Sequence, residues 1–312
     1  MAQVVLTVAL IGVAGWKLRS QWTDASRADF HWQLHIGWLA AASALVFGTY
    51  IVLIETWRRV LAGLGAQVAF APAARIWFAA NLGKYVPGKI WTVSAMMVMM
   101  TEQGVPLAVS GASAVVMAVA PVATGFAVTL LTSLPTVQRL IGGSTAVVLS
   151  TIGMVLSLVA APLLTRQWNR IAAKLGRPAL TVQVPLKAIL PALVGSAASW
   201  FLYGLAFQWL IRSLLGSATG SVADYTAAYC ASYLFGYLAL FAPGGIGMRE
   251  IALSTILPPL GLATAAQAAV IAVASRLWLT VVELIPSVIA AARSISRKAS
   301  SSKTELTGSA SR

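Results

Sequence analysis

The chain is poor in acid. Only 8 of its 312 residues are Asp or Glu, against 22 Lys and Arg, and charged residues of both signs make up 10%. A soluble domain carries about 25% charged residues, so this composition does not build a surface for water on all sides. The only cysteine, Cys230, rules out an internal disulfide framework and a thiolate metal site. The two histidines, His31 and His35, share a short polar loop without a third ligand, so no metal and no cofactor are expected. Paired carboxylates are missing as well. Asp24 and Asp29 stand five residues apart and no Asp-x-Asp occurs, which argues against a metal-assisted lipid or glycosyl transferase.

What the chain has is apolar sequence: 59% hydrophobic residues and a mean hydropathy of +0.83. Crossing ~30 Å of hydrocarbon takes about 20 residues of helix. Residues 36–57, 107–133, 144–165, 187–212 and 264–292 read as spans. So does the shorter run 2–16, where a signal peptide is the alternative but no cationic stretch precedes it. The fold class is therefore an all-α polytopic membrane protein. The net charge of +14 would suggest nucleic acid in a soluble protein. Here it concentrates between apolar runs and in the tail, so it reads as topology and contact with anionic headgroups, with no nucleic-acid partner. Arg166, Arg170, Lys174, Arg177 and Lys187 have no acidic residue among them, and this places 166–187 in the cytoplasm. Residues 294–312, Ser-rich and basic, read as a disordered cytoplasmic tail. Both termini are expected on the cytoplasmic side of a bacterial or archaeal cell membrane.

Two polar breaks interrupt this apolar sequence. The first holds Asn81, Lys84, Tyr85, Pro87, Gly88, Lys89 and Trp91; the second holds Pro243, Gly244, Gly245, Gly247, Arg249 and Glu250. Irregular backbone at membrane depth survives only inside protein or beside a watery cavity. Proline ends a helix, glycine admits left-handed backbone and close approach, and a helix that restarts presents free N–H groups to an anion. Sidedness closes only if each break is the tip of a hairpin that returns to its own side, one from inside and one from outside. The expectation is six full spans plus two Pro-Gly hairpins, re-entrant or broken-helix.

The halves 36–133 and 187–293 repeat the order span, hairpin, Gly-capped span, with 144–165 as the linking span of a single membrane domain over 1–293. They begin from opposite sides, which makes an inverted-topology repeat. Broken helices at corresponding positions of such repeats point to a transporter's central site. Arg276 and Glu283 lie mid-span, seven residues or about two turns apart on one helix face. Ionisable residues there mark function or a structural pair, such as Arg276 with Glu250. Asn81 either caps the break or binds ligand. Tyr85 and Trp91 suit interfacial anchoring, with ligand stacking as the alternative.

On residues 81–88, the run from Pro243 to Glu250, and Arg276 with Glu283, the chain resembles the lysylphosphatidylglycerol synthase transmembrane-region family, a flippase-like module. The resemblance covers about residues 36–293 and implies movement of an anionic phospholipid or polyprenyl-phosphate-linked headgroup between leaflets. Two-domain members add a soluble aminoacyltransferase domain. This chain stops soon after its last span, so it is expected to be a standalone member and not an enzyme. Its first break departs from the glycine-rich form in Lys84, Tyr85 and Lys89. That cationic version is similar to members found near glycan-assembly enzymes, possible partners. The substrate site expected from all this comprises Asn81, Lys84, Tyr85, Pro87, Gly88, Lys89, Pro243, Gly244, Gly245, Gly247, Arg249, Glu250, Arg276 and Glu283. The rival readings are a non-catalytic subunit of a glycan- or lipid-assembly system, a membrane transferase and a small-solute carrier.

Overall fold

The computed structural model describes residues 34–85, 90–141, 148, 151–152, 170, 184–239 and 242–309, and among them there are helices and turns but no strand. In chain order the helices are α1 (Ile36–Gly63), α2 (Phe70–Asn81), α3 (Ile90–Thr101), α4 (Leu107–Ile141), α5 (Leu186–Leu215), α6 (Val222–Leu238), α7 (Met248–Ile256) and α8 (Ala265–Ser309). Short 3-10 turns, Leu82–Tyr85 and Pro243–Gly245, follow α2 and precede α7.

Four helices are long and apolar enough to cross a membrane: Ile36–Gly63, Leu107–Thr132 within α4, Leu186–Leu215, and Ala265–Ile289 within α8. They mark an integral membrane protein. The expected spans 2–16 and, apart from three residues, 144–165 lie outside the described residues. Apolar side chains face outward along α8, where Leu277, Val281, Ile285 and Val288 are exposed. In water such a stripe would be a liability; against lipid it is the ordinary surface.

Small residues hold the bundle together. A Cβ added at Gly63 would lie 2.8 Å from the Ala188 backbone, and one at Gly195 would lie 1.9 Å from Thr56 Oγ1. The axes of α1 and α5 therefore approach closely, as membrane helices do when glycine lets backbones meet. The pair is antiparallel, because His35 N–H at the start of α1 donates to Ser213 O at the end of α5 over 2.8 Å. Arg58, Arg59 and Lys187 thus share one end of the bundle. Glu55 pairs with Arg58 and Arg59 there. Asp224 closes a capping box with Ser221 at the start of α6, two orphan donors being satisfied reciprocally.

Both short-helix pairs return to the end they came from. Trp57 Nε1 near the end of α1, before the first pair, donates to Ser113 Oγ near the start of α4, after it, over 3.1 Å. Thr219 Oγ1 before α6 donates to Gly261 O after α7 over 3.1 Å, at the opposite end. The packing also repeats with the halves exchanged. α2 packs on α8 and α6 on α4; α3 packs on α4 and α7 on α8.

Several boundaries differ from the sequence expectation. α1 continues to Gly63 rather than stopping near 57, because nothing from Arg58 to Gly63 breaks a helix and the Glu55 pairs favour one. α4 runs to Ile141, past the expected end of its span at 133, and the helical backbone of α8 reaches Ser309 through the expected tail. No proline occurs in 294–309, and the one glycine, Gly308, stands at its end.

Candidate functional site

The first break begins where α2 gives way to the turn Leu82–Tyr85. Gly83 sits against the following arm, where an added Cβ would be 2.7 Å from Thr92 N. Only glycine lets the arms close to that distance. The second break needs left-handed backbone at three positions: φ is 57° at Gly244, 71° at Gly245 and 83° at Gly247. Gly245 also packs on α6, where its Cβ, if present, would be 3.0 Å from Gly236 Cα. The two 3-10 turns touch one another, so the breaks meet inside the bundle.

α8 is the post to which both turns are tied. Arg276 Nη2 donates to Gly244 O over 2.7 Å, and Arg276 Nε lies 3.6 Å from Glu250 Oε1. The pairing of Arg276 with Glu250 is the one the sequence suggested. Two helical turns further along α8, Glu283 accepts from Lys84 Nζ of the first break. The seven-residue spacing spans about 10 Å of helix, which lets one helix face serve both breaks. Lys84 lies in the first turn, which touches the second; Arg276 bonds to the second turn, and Arg249 follows it at the start of α7, so the three cations share one region.

Arg249 is held differently. Its guanidinium carbon lies 5.2 Å from the ring centre of Tyr229 and 4.9 Å from that of Tyr233. Its stem runs over Gly236, where an added Cβ would be 2.3 Å from Arg249 Cγ. Arg249 is 9% exposed and Glu250 5%. Arg249 Nε and Glu250 Oε2 are buried without a hydrogen-bond partner, and no carboxylate lies within ion-pair distance of Arg249 among the described residues. Three cations, Lys84, Arg249 and Arg276, thus face two carboxylates, Glu250 and Glu283. One positive charge is left over where Arg249 and both carboxylates are buried, and an uncompensated buried charge is costly.

The structure brings together five of the expected charged residues, with Gly244, Gly245 and Gly247 as the backbone that positions them. Pro243 opens the second turn. Asn81, half-buried, is the last residue of α2, and Tyr85 closes the first turn. Pro87, Gly88 and Lys89 lie outside the described residues. Trp91 is 49% exposed in the first turn of α3. Sequence reasoning missed Tyr229, Tyr233 and Gly236. A signal was available: Tyr225, Tyr229, Tyr233 and Tyr237 recur every four residues, which puts an aromatic row on one face of α6.

A cleft of about 370 Å³ lies away from this cluster, between the α5–α6 and α7–α8 connections, and Ser217, Thr219, Gly261, Thr264 and Gln267 are part of its lining. No charged residue lines it, so we place the candidate site at the charged cluster instead. No group of three or more His, Cys, Asp or Glu that could hold a metal ion occurs among the described residues. The chain matches no protein-family model and no curated protein sequence.

Proposed function

We propose that the protein carries an anionic lipid headgroup between membrane leaflets. The observation that supports this most directly is the surplus positive charge where the two helix breaks meet. A phosphate-bearing headgroup neutralises that charge while its tails stay in lipid. In this reading the two short-helix pairs are re-entrant hairpins entering from opposite faces, and the exchanged packing of the halves is that of an inverted-topology repeat. That arrangement suits alternating access about a fixed central site. The same features agree with the resemblance to the flippase-like transmembrane-region family.

The chemistry asked of the site is modest. Arg249 offers the headgroup a guanidinium preorganised by two rings, and Arg276 and Lys84 offer charge now shared with Glu250 and Glu283. Binding exchanges carboxylate partners for phosphate, so the latches between each turn and α8 loosen when the ligand arrives. Rocking of one hairpin against the other then follows from contacts already present. The test is transfer of fluorescent phosphatidylglycerol in proteoliposomes. Arg249→Gln and Arg276→Gln should each lower the rate by about ten-fold or more, the loss of a charge-assisted contact of at least about 1.4 kcal/mol. Wild-type rates in variants that remain folded would defeat the assignment.

A further inference from the structure

We infer that the site is matched to a single negative charge, and so selects a phosphodiester headgroup over a phosphate monoester. This rests on the transport reading for its ligand class, but on the charge count for its selectivity. Among the described residues the cluster carries three cations and two carboxylates: Lys84 pairs with Glu283 of α8, Arg276 of α8 bonds to the second turn and lies beside Glu250, and Arg249 lies over Tyr233 of α6. Glu250 and Glu283 are 5% and 8% exposed, so neither is screened as a surface carboxylate would be.

The physical reason for selectivity lies in how two opposing terms scale. Attraction between the ligand and the surplus cation grows in proportion to the ligand's charge. The cost of taking the ligand out of water grows as the square of that charge, and it is large in a region of low dielectric. Doubling the charge doubles the gain and quadruples the cost. A monoanion also leaves the cluster neutral. A dianion leaves it with an uncompensated negative charge among buried groups, where Arg249 Nε is a donor without an acceptor. The carboxylates are therefore the filter: each one removed raises the charge for which the site is balanced. Adding one positive charge favours a dianion twice as strongly as a monoanion.

The test uses the full chain in detergent at pH 8, where a phosphate monoester carries close to two charges because its second pKa is about 6. Isothermal titration calorimetry compares short-chain phosphatidylglycerol, a monoanionic diester, with short-chain phosphatidate. Wild type should bind phosphatidylglycerol more tightly. Glu283→Gln should move the ratio toward phosphatidate by about ten-fold, the effect of one charge at about 10 Å with an effective dielectric of about 20. Glu250→Gln makes the same charge change at another position and keeps the test alive if the first variant does not fold. Lys84→Gln combined with Glu283→Gln restores the count and should restore the wild-type order.

A wild-type preference for phosphatidate overturns the inference, as does an unmoved ratio in both folded Gln variants. Should neither variant fold, the wild-type order alone decides. Glycerophosphoglycerol and inorganic phosphate supply the soluble arm. Binding of the free diester as tightly as of the lipid upholds the charge match and removes the lipid. A correct order with no leaflet transfer likewise upholds the match and sinks transport, whereas transfer with the reverse order does the opposite.

Discussion

Gly236 sits where a single methyl group tests the placement of Arg249. In Gly236→Ala the new Cβ falls 2.3 Å from Arg249 Cγ and 3.4 Å from Gly245 Cα. The arginine stem cannot simply swing away, because its head lies over Tyr229 and Tyr233 and the residue is buried. Overpacking of this kind costs about 1–3 kcal/mol, and moving the guanidinium off the rings forfeits up to about 2 kcal/mol. Alanine's helical advantage over glycine returns about 1 kcal/mol. The net expectation is destabilisation by about 1–3 kcal/mol. Gly48→Ala is the control, since nothing lies within 4 Å of its added Cβ in α1, and it should stabilise by up to about 1 kcal/mol. The protein supplies its own probe. Cys230 is the only cysteine and is 0% exposed, so a fluorogenic thiol dye reports thermal unfolding with no label introduced. The decisive comparison repeats Gly236→Ala in an Arg249→Ala background. Without the stem the clash is gone, and the substitution should cost nothing; a coupling of about 2 kcal/mol is in the range found for residues in contact. If the cost of Gly236→Ala is the same with and without the arginine, Arg249 does not pack on α6 and the site is wrongly drawn.

Two further tests use the same thiol readout. Lys84→Met strands Glu283, 11% exposed at its side chain, and should cost near the lower end of the about 3–5 kcal/mol for breaking a buried pair, because Lys84 is itself 32% exposed. Adding Glu283→Met should recover most of that loss; a double variant as unstable as the single would mean the two residues are not partners. At the α1–α5 seam, Gly195→Ala puts a Cβ 1.9 Å from Thr56 Oγ1 and should cost about 1–3 kcal/mol. Part of this should return in Thr56→Gly, and no return would show that the helices are not in that register.

Much of this architecture can be read from the chain because lipid makes strict demands on sequence. Four of the expected spans coincide with long helices, since a run such as 187–212 has no other way to satisfy its backbone in hydrocarbon. The breaks were visible for the same reason: Pro243 followed by Gly244 and Gly245 cannot continue an α-helix, and positive φ at both glycines is what that order of residues permits. Arg276 was recognisable as a partner of Glu250 because an arginine in mid-span needs a counter-charge. Its bond to the Gly244 carbonyl was not, as backbone acceptors leave no mark in side-chain chemistry. The link between Lys84 and Glu283 joins residues 199 positions apart, and only the mutual placement of hairpin and span creates it. The end of α4 illustrates the opposite limit. Residues 134–141 contain Pro135 and look like a connection, yet the helix passes through them.

The breaks and the cations are parts of one device. A helix broken inside a membrane leaves carbonyls that water cannot reach, and each needs a donor. Arg276 gives one bond to Gly244 O and lies beside Glu250, so it is committed to the fold before any ligand arrives. Lys84 is likewise committed to Glu283. Arg249 alone of the three has a buried N–H without an acceptor and no carboxylate partner among the described residues. Aromatic rings hold it instead, and they fix a guanidinium's position without neutralising its charge. A side chain kept charged, dry and aimed, at high cost in burial, is difficult to explain by packing alone. In the reading proposed above, Lys84 and Arg276 close the two turns on α8 until a ligand arrives, and Arg249 is the group that first meets the anion.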